Sequence, residues 1–187
     1  MLEKLYEAEA ALPELLRDER AWTGVYADAE KPVLRRLWRQ WGDHRIYLHA
    51  FDPCLPEESF AHPHPWSGIA IRVVDGRYEM TVGASADPSV VPPTVVTMIF
   101  EPGSVYEMVH PHGFHGTRPI GGPTYSLMVA GPPTWQENRV RGNTIVRPLT
   151  PEERAHLFAV FRARYATRSP FEGFRRHCHG LIGEDID

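Results

Sequence analysis

The stretch His62-Pro63-His64-Pro65-Trp66-Ser67-Gly68-Ile69-Ala70-Ile71-Arg72-Val73-Val74-Asp75-Gly76-Arg77-Tyr78-Glu79-Met80-Thr81-Val82 decides how this chain is read. Side chains along a strand alternate between two faces, so histidines two positions apart point the same way. Ser67 to Val74 reads as one strand and Arg77 to Val82 as the next, with Asp75-Gly76 expected as a two-residue hairpin turn between them. Downstream, Phe100-Glu101-Pro102-Gly103 and Pro111-His112-Gly113-Phe114-His115 supply a glycine turn and further imidazoles. Half of the 10 histidines fall between positions 62 and 115. A third histidine arriving from a later strand closes a triangle of imidazoles around one metal ion.

Working outward, the same short-strand rhythm continues. Arg45 to Phe51, Thr94 to Phe100, Ser104 to Val109 and Thr124 to Ala130 read as strands, and Arg139 to Val146 as a final hairpin around Gly142-Asn143. Short strands with Pro/Gly turns between them predict a mainly β sandwich or jelly-roll barrel over residues 45–147. Residues 1–44 read as a helical extension. Leu2, Leu5, Ala8 and Leu12 follow helical spacing, Pro13 is expected to open a second helix carrying Leu15, Leu16 and Trp22, and Pro32 a third carrying Leu34, Leu37, Trp38 and Trp41. On that third helix, Arg35, Arg36 and Arg39 read as a solvated face. Thr150-Pro151-Glu152-Glu153 announces a C-terminal helix over 150–168, followed by a tail over 169–187.

Composition narrows the function classes. The chain has 187 residues, 42% hydrophobic and 24% charged, and a formal net charge of −4. That is the profile of one globular domain, and it argues against nucleic acid as a partner. The longest apolar run, around Val95 to Phe100, is too short for a bilayer span, and the acidic opening Met1-Leu2-Glu3-Lys4-Leu5-Tyr6-Glu7 is unlike a signal peptide. Two cysteines, Cys54 and Cys178, make no disulfide framework, so a reducing, cytoplasmic setting is expected.

The chain resembles the cupin superfamily over residues 45–147. His62-Pro63-His64 with Gly76 matches the outline of the first cupin motif. Gly103 followed by Pro111-His112-Gly113-Phe114-His115 resembles the second with altered spacing, and Thr124 to Gly131 resembles the strand closing many small cupin barrels. The resemblance implies a cupin-type jelly roll with N-terminal helices and a C-terminal helix, and a metal held by His62, His64 and His115. His115 is favoured over His110 and His112 because it follows Pro-x-Gly beside apolar Phe114. Cupins often add a glutamate three or four residues past the second histidine; here those positions hold Gly68 and Ile69. The implied site is thus three neutral imidazoles, similar to that of cysteine dioxygenase and related enzymes, although the cysteine those enzymes carry near the first motif has no counterpart.

That resemblance implies Fe(II), while imidazole alone suits Zn, Ni, Cu or Mn as well. The implied activity is an O2-dependent oxidation, dioxygenation being the expected type, of a small polar, anionic substrate. The alternatives are a metal-dependent isomerase or lyase, and a non-catalytic small-ligand-binding module. Strict alternation after His64 would put Trp66 and Arg72 on the ligand face, with Arg72 as an anion clamp. Tyr125 on the closing strand is the candidate proton donor. Tyr78, Tyr106 and Arg118 complete the expected substrate contacts. His44, His49 and His156 read as structural, and His177-Cys178-His179 as incidental. The apolar N-terminal helices could support a homodimer.

Overall fold

The computed structural model describes residues 1–28, 31–59, 61–87, 89–109, 113–134 and 145–165. The chain opens with α1 (Leu2–Leu15), which buries Leu5, Ala8 and Leu12 at the spacing the sequence shows. Pro13 lies inside this helix rather than at the head of a second one. In the last turn it forfeits only one backbone hydrogen bond, so the helix runs on to Leu15.

The second expected helix is reduced to a 3-10 turn at Glu19–Ala21, and beyond it the expected helical region is mostly β. Strands β1 (Thr23–Asp28) and β2 (Leu34–Trp41) pair antiparallel, and β2 runs in full register with β3 (His44–Phe51). The helix expected from Pro32 is therefore a correction, with a clear physical origin. This sheet is covered on both faces, so Leu37 enters one apolar cluster and its neighbour Trp38 the other. Adjacent apolar residues at 37 and 38, with Leu34 and Trp41 flanking them, mimic a helical stripe, and strand pairing overrides that periodicity.

The following strands are β4 (His62–Pro63), β5 (Ile69–Asp75), β6 (Tyr78–Ala84), β7 (Val96–Phe100), β8 (Val105–Met108), β9 (Gly113–Pro119) and β10 (Thr124–Ala130). Their pairing is nested: β3 with β10, β4 with β9, β5 with β8 and β6 with β7. The eight strands behave as one long hairpin rolled up on itself. Rolling adds the pairs β10 with β5 and β6 with β9, and separates the strands into sheets ordered β3-β10-β5-β8 and β4-β9-β6-β7. This is a double-sheet jelly roll. The first sheet is extended past β3 by β2, β1 and finally β11 (Ile145–Pro148). Residues 139–144 of the expected last hairpin lie outside the described residues.

Asp75-Gly76 does not close a hairpin, because β5 and β6 belong to different sheets. Gly76 carries the chain around the barrel corner with φ +70, and a Cβ there would lie 2.4 Å from the Pro123 carbonyl oxygen. Only glycine fits this position.

The two faces of the larger sheet have different partners. Ile46, Leu48, Ala50, Ala70, Leu127 and Val129 point outward to Leu5, Leu12, Phe158 and Phe161 of the two helices. Tyr47, Ile69, Ile71, Met128 and Ala130 point into the barrel. Each fully buried Leu, Ile or Phe contributes about 1.5–3 kcal/mol.

Helix α2 (Pro151–Tyr165) begins as the sequence predicts. The Glu153 amide donates to the Thr150 hydroxyl at 3.2 Å and the Thr150 amide to the Glu153 carboxylate at 2.8 Å, a reciprocal cap. The bidentate Arg147 guanidinium draws the Glu153 carboxyl down to about 2. Residues 166–168 of the expected helix lie outside the described residues. No helix among those described is long and apolar enough to cross a membrane.

Candidate metal centre

Strand register builds the site. His62 on β4 stands directly opposite His115 on β9, and His115 stands opposite Val82 on β6. Alternation brings His64 to the face that His62 uses. The three rings pack edge to face, with centroids 5.0 Å apart for His62–His64 and His62–His115, and 4.7 Å for His64–His115. One ring nitrogen from each lies within 4.8 Å of the others. His115 is 4% exposed, while His62 and His64 are half-buried.

Burial holds His64 and His115 well below the ordinary histidine value, and the neighbouring imidazoles depress them further, since a second proton would crowd two positive charges together. Neutral rings offer lone pairs. His64 Nε2 and His115 Nε2 lie only 2.7 Å apart, a separation two lone pairs tolerate only with a proton or a cation between them. With a third nitrogen converging on the same space, a divalent metal fits this donor set. No carboxylate joins the cluster among the described residues. Ile69, one of the two positions where a glutamate would sit, is buried against Tyr47 and Met128 inside the barrel.

In the unfolded chain these histidines protonate near pH 6.5, while in the fold His64 and His115 resist protonation and His49 is drawn down to about 3, chiefly by burial and then by the charge of Arg36. The unfolded state therefore binds more protons below pH 6.5, and stability is lost as pH falls. The urea midpoint of metal-free protein is expected to be flat above pH 7 and to drop between pH 6.5 and 5. Each such histidine contributes up to about 1.4 kcal/mol per pH unit. A midpoint unchanged across that interval would refute the buried neutral state.

The other expected site residues divide sharply. Tyr106 reaches the cluster, its ring 6.2 Å from that of His115. Tyr78, buried behind it, shares a hydroxyl–hydroxyl hydrogen bond of 3.0 Å with Tyr106. Burial pushes both phenols up, so they stay protonated. Trp66 packs on Tyr47 at 6.1 Å, on the barrel side.

Three expectations are corrected. Arg72 falls on the outer face of β5, opposite Leu127, where it pairs with Glu9 of α1 at 2.5 Å and donates to the Gly103 carbonyl. Arg118, three positions from His115 and so on the other face of β9, pairs with Glu79. Tyr125 hydrogen-bonds His156 of α2 at 2.9 Å and packs on Phe161. In each case the covering element or the outer strand face supplies a partner that local alternation does not reveal. His110 and His112, the other candidates for third ligand, lie outside the described residues, as do His177, Cys178 and His179.

Sequence reading also missed residues that face the barrel interior. His49, read as structural, and Arg36, read as a solvated helix residue, stand opposite each other on the inner face of the larger sheet, the His49 ring 5.6 Å from that of Tyr47 and the Arg36 guanidinium 5.5 Å over the same ring. The available signal was the alternation Tyr47, His49, Phe51 against Ile46, Leu48, Ala50, which sorts His49 to the barrel side.

No family model and no curated protein matches the chain. Among solved structures, it is similar to hydroxypropylphosphonic acid epoxidase from S. wedmorenis, with 14% identity over 52% of this chain and 49% of that one, and a TM-score of 0.41. The chain spans about half the length of that epoxidase. KdgF from Halomonas sp. shows 17% identity over 57% of this chain and 86% of that one, with a TM-score of 0.43. The cupin domain of Cnp3 from Schizosaccharomyces pombe shows 12% identity over 57% and 65%, with a TM-score of 0.41. The resemblance to cupins noted in the sequence extends to the nested jelly-roll topology and the three-histidine cluster.

Proposed function

We propose that this protein is a metal-dependent cupin oxygenase, holding Fe(II) through His62, His64 and His115 and catalysing an O2-dependent oxidation, dioxygenation being the favoured type, of a small anionic substrate. The observation that carries the reading is the convergence of three neutral imidazoles, without a carboxylate, inside a β-barrel. Three uncharged ligands leave the charge of a divalent ion uncompensated, which favours an anionic partner on the open face. Iron would supply the one-electron reactivity with O2 that amino-acid side chains lack.

The chain's own residues do the rest. The β4–β9 register fixes the imidazole positions, so little reorganisation is required when substrate enters. Tyr106, kept protonated and hydrogen-bonded to Tyr78, sets its ring beside His115 and closes that side of the site. Val73, Met80 and Phe100 line the barrel around Tyr78 and keep water from that side. Arg72 and Arg118 have no part in this reading, because they are paired on the outside.

The test is metal analysis of protein purified without added metal, followed by an oxygen-electrode assay with a panel of small carboxylic acids. The expected outcome is about one iron per chain after anaerobic loading and O2 uptake that requires both iron and substrate. Tightly held zinc, with no O2 uptake for any ligand that perturbs the site, would overturn the oxygenase reading in favour of Lewis-acid chemistry or simple binding.

A further inference from the structure

Among the described strands, the two sheets end in four edges, β11 and β8 on the larger and β4 and β7 on the smaller. Unpaired backbone groups on an edge recruit other strands, and stable monomers blunt them with charge, proline or brevity. Three of the four edges are blunted in this way. β4 is two residues long and contains Pro63. β8 carries Glu107, whose carboxylate accepts from the Leu2 amide of α1 at 3.0 Å. β11 carries Arg147 and Pro148. β7 has no such device. It is the five-residue run Val96-Thr97-Met98-Ile99-Phe100, without charge or proline, and β6 is its one partner among the described strands.

The strand is also apolar where it meets solvent. Tyr78 and Met80 opposite it on β6 are buried, yet Val96, Met98 and Ile99 are exposed, Ile99 by 52%. Val90, Val91 and Val95, just before the strand, are exposed as well, Val95 by 79%. The apolar face of α1 is already buried on the larger sheet, so a second copy would have to meet a different surface.

Register says what fits the edge. The Val82 carbonyl accepts from the Val95 amide at 2.8 Å, so β6 turns its backbone groups toward β7 at Val82 and, by alternation, at Met80 and Tyr78. Val96, Met98 and Phe100 stand opposite these three, which leaves the amides and carbonyls of Thr97 and Ile99 pointing away from the sheet. A two-fold axis through Met98 sets Thr97 opposite Ile99 of a second copy, where the two residues exchange both N–H···O bonds, as does the symmetric pair. Met98 then meets itself in the closely spaced position, and Val96 meets Phe100. Glu101 falls across from Val95 and not from its own copy, so no charge meets its like. The strand is complementary to itself.

We propose that β7 is a homodimerisation edge, on which two copies pair antiparallel about Met98 and join their four-stranded sheets into one of eight strands. His62, His115, Val82 and Val96 lie in one register row across that sheet, so the pairing extends the sheet that carries the three-histidine cluster. The proposal stands apart from the oxygenase reading, which needs only one copy.

The test is sedimentation equilibrium of the full chain over a range of concentrations. The 21.3 kDa chain is expected to dimerise in the micromolar range, as befits a small interface. Ile99→Lys puts a charge on the exposed edge across from Glu79 of β6 and should weaken the dimer about tenfold or more, with circular dichroism checking the fold. Val146→Lys, at a similarly exposed position on β11, should leave the dimer unchanged. Cross-linking reads the register. In a chain with Cys54 and Cys178 replaced by serine, Met98→Cys should form an intermolecular disulfide about tenfold faster than Ile99→Cys, because residue 98 meets its own copy across the axis. Hydrogen exchange needs no variant: the Thr97 and Ile99 amides should be protected and should lose that protection on dilution. A chain that stays monomeric at every concentration, a dimer that Ile99→Lys leaves intact, or equal cross-linking at 98 and 99 would overturn the proposal. Protection that persists in a monomer would overturn it too, and would assign the edge to a segment of the chain itself, such as residues 166–187.

Discussion

Replacing His115 by alanine is expected to take bound metal from about one ion per chain to none that survives gel filtration. Even residues that only orient a metal-bound histidine cost 10–100-fold in affinity when removed, so losing one of three ligands should cost about a hundredfold or more. His115 sits at the centre of the site's architecture, opposite His62 on one side and Val82 on the other. Its ring is within 5.0 Å of His62 and 4.7 Å of His64, and only two nitrogens remain once it is gone. Two controls frame the result. His112→Ala should keep its metal. Tyr125→Phe should keep both metal and O2 uptake, because its hydroxyl bonds His156 on the helix side of the sheet. Metal retained in His115→Ala but lost in His112→Ala would overturn the ligand set. Circular dichroism of each variant separates loss of ligand from loss of fold.

Phe158→Ala is expected to cost about 3–5 kcal/mol, the range for deleting a buried phenylalanine, and to lower the melting temperature by roughly 10 °C. Phe158 is 1% exposed and meets Trp22 edge to face at 6.3 Å. It also lies in the layer that seals α1 and α2 onto the outer face of the larger sheet. Truncation leaves a cavity that the jelly roll beneath it is too rigid to fill. The metal centre lies on the other side of that sheet, so metal stoichiometry at 20 °C should be unchanged. A thermal scan with and without metal measures both effects. A shift of only a degree or two would mean that the helices merely decorate the barrel.

How much could be read beforehand depended on whether a residue's neighbours were local. The strand Thr124–Ala130 has the bounds the sequence predicts, because its apolar run is closed by Pro/Gly turns on both sides. The reciprocal cap at Thr150 and Glu153 is equally local and was legible. Strand β9 carries little strand signal, since Gly113, Gly116 and Pro119 weaken its β character, yet it is a central strand held by β4 and β6. Strand β2 hides its strand character for the opposite reason: burial on both faces erases its two-residue period.

The chain's own order of residues determined the mainly β class, the capped C-terminal helix and the His62/His64 pair, because propensity, capping and alternation act over a few residues. The tertiary structure alone decided which sheet each strand joins and which way each polar side chain faces. Rolling the long hairpin set His115 against His62, sent Arg72, Arg118 and Tyr125 to the outside, and turned Arg36 and His49 inward. Those outcomes depend on register between segments up to about eighty residues apart, and a shift of a single residue would reverse every one of them.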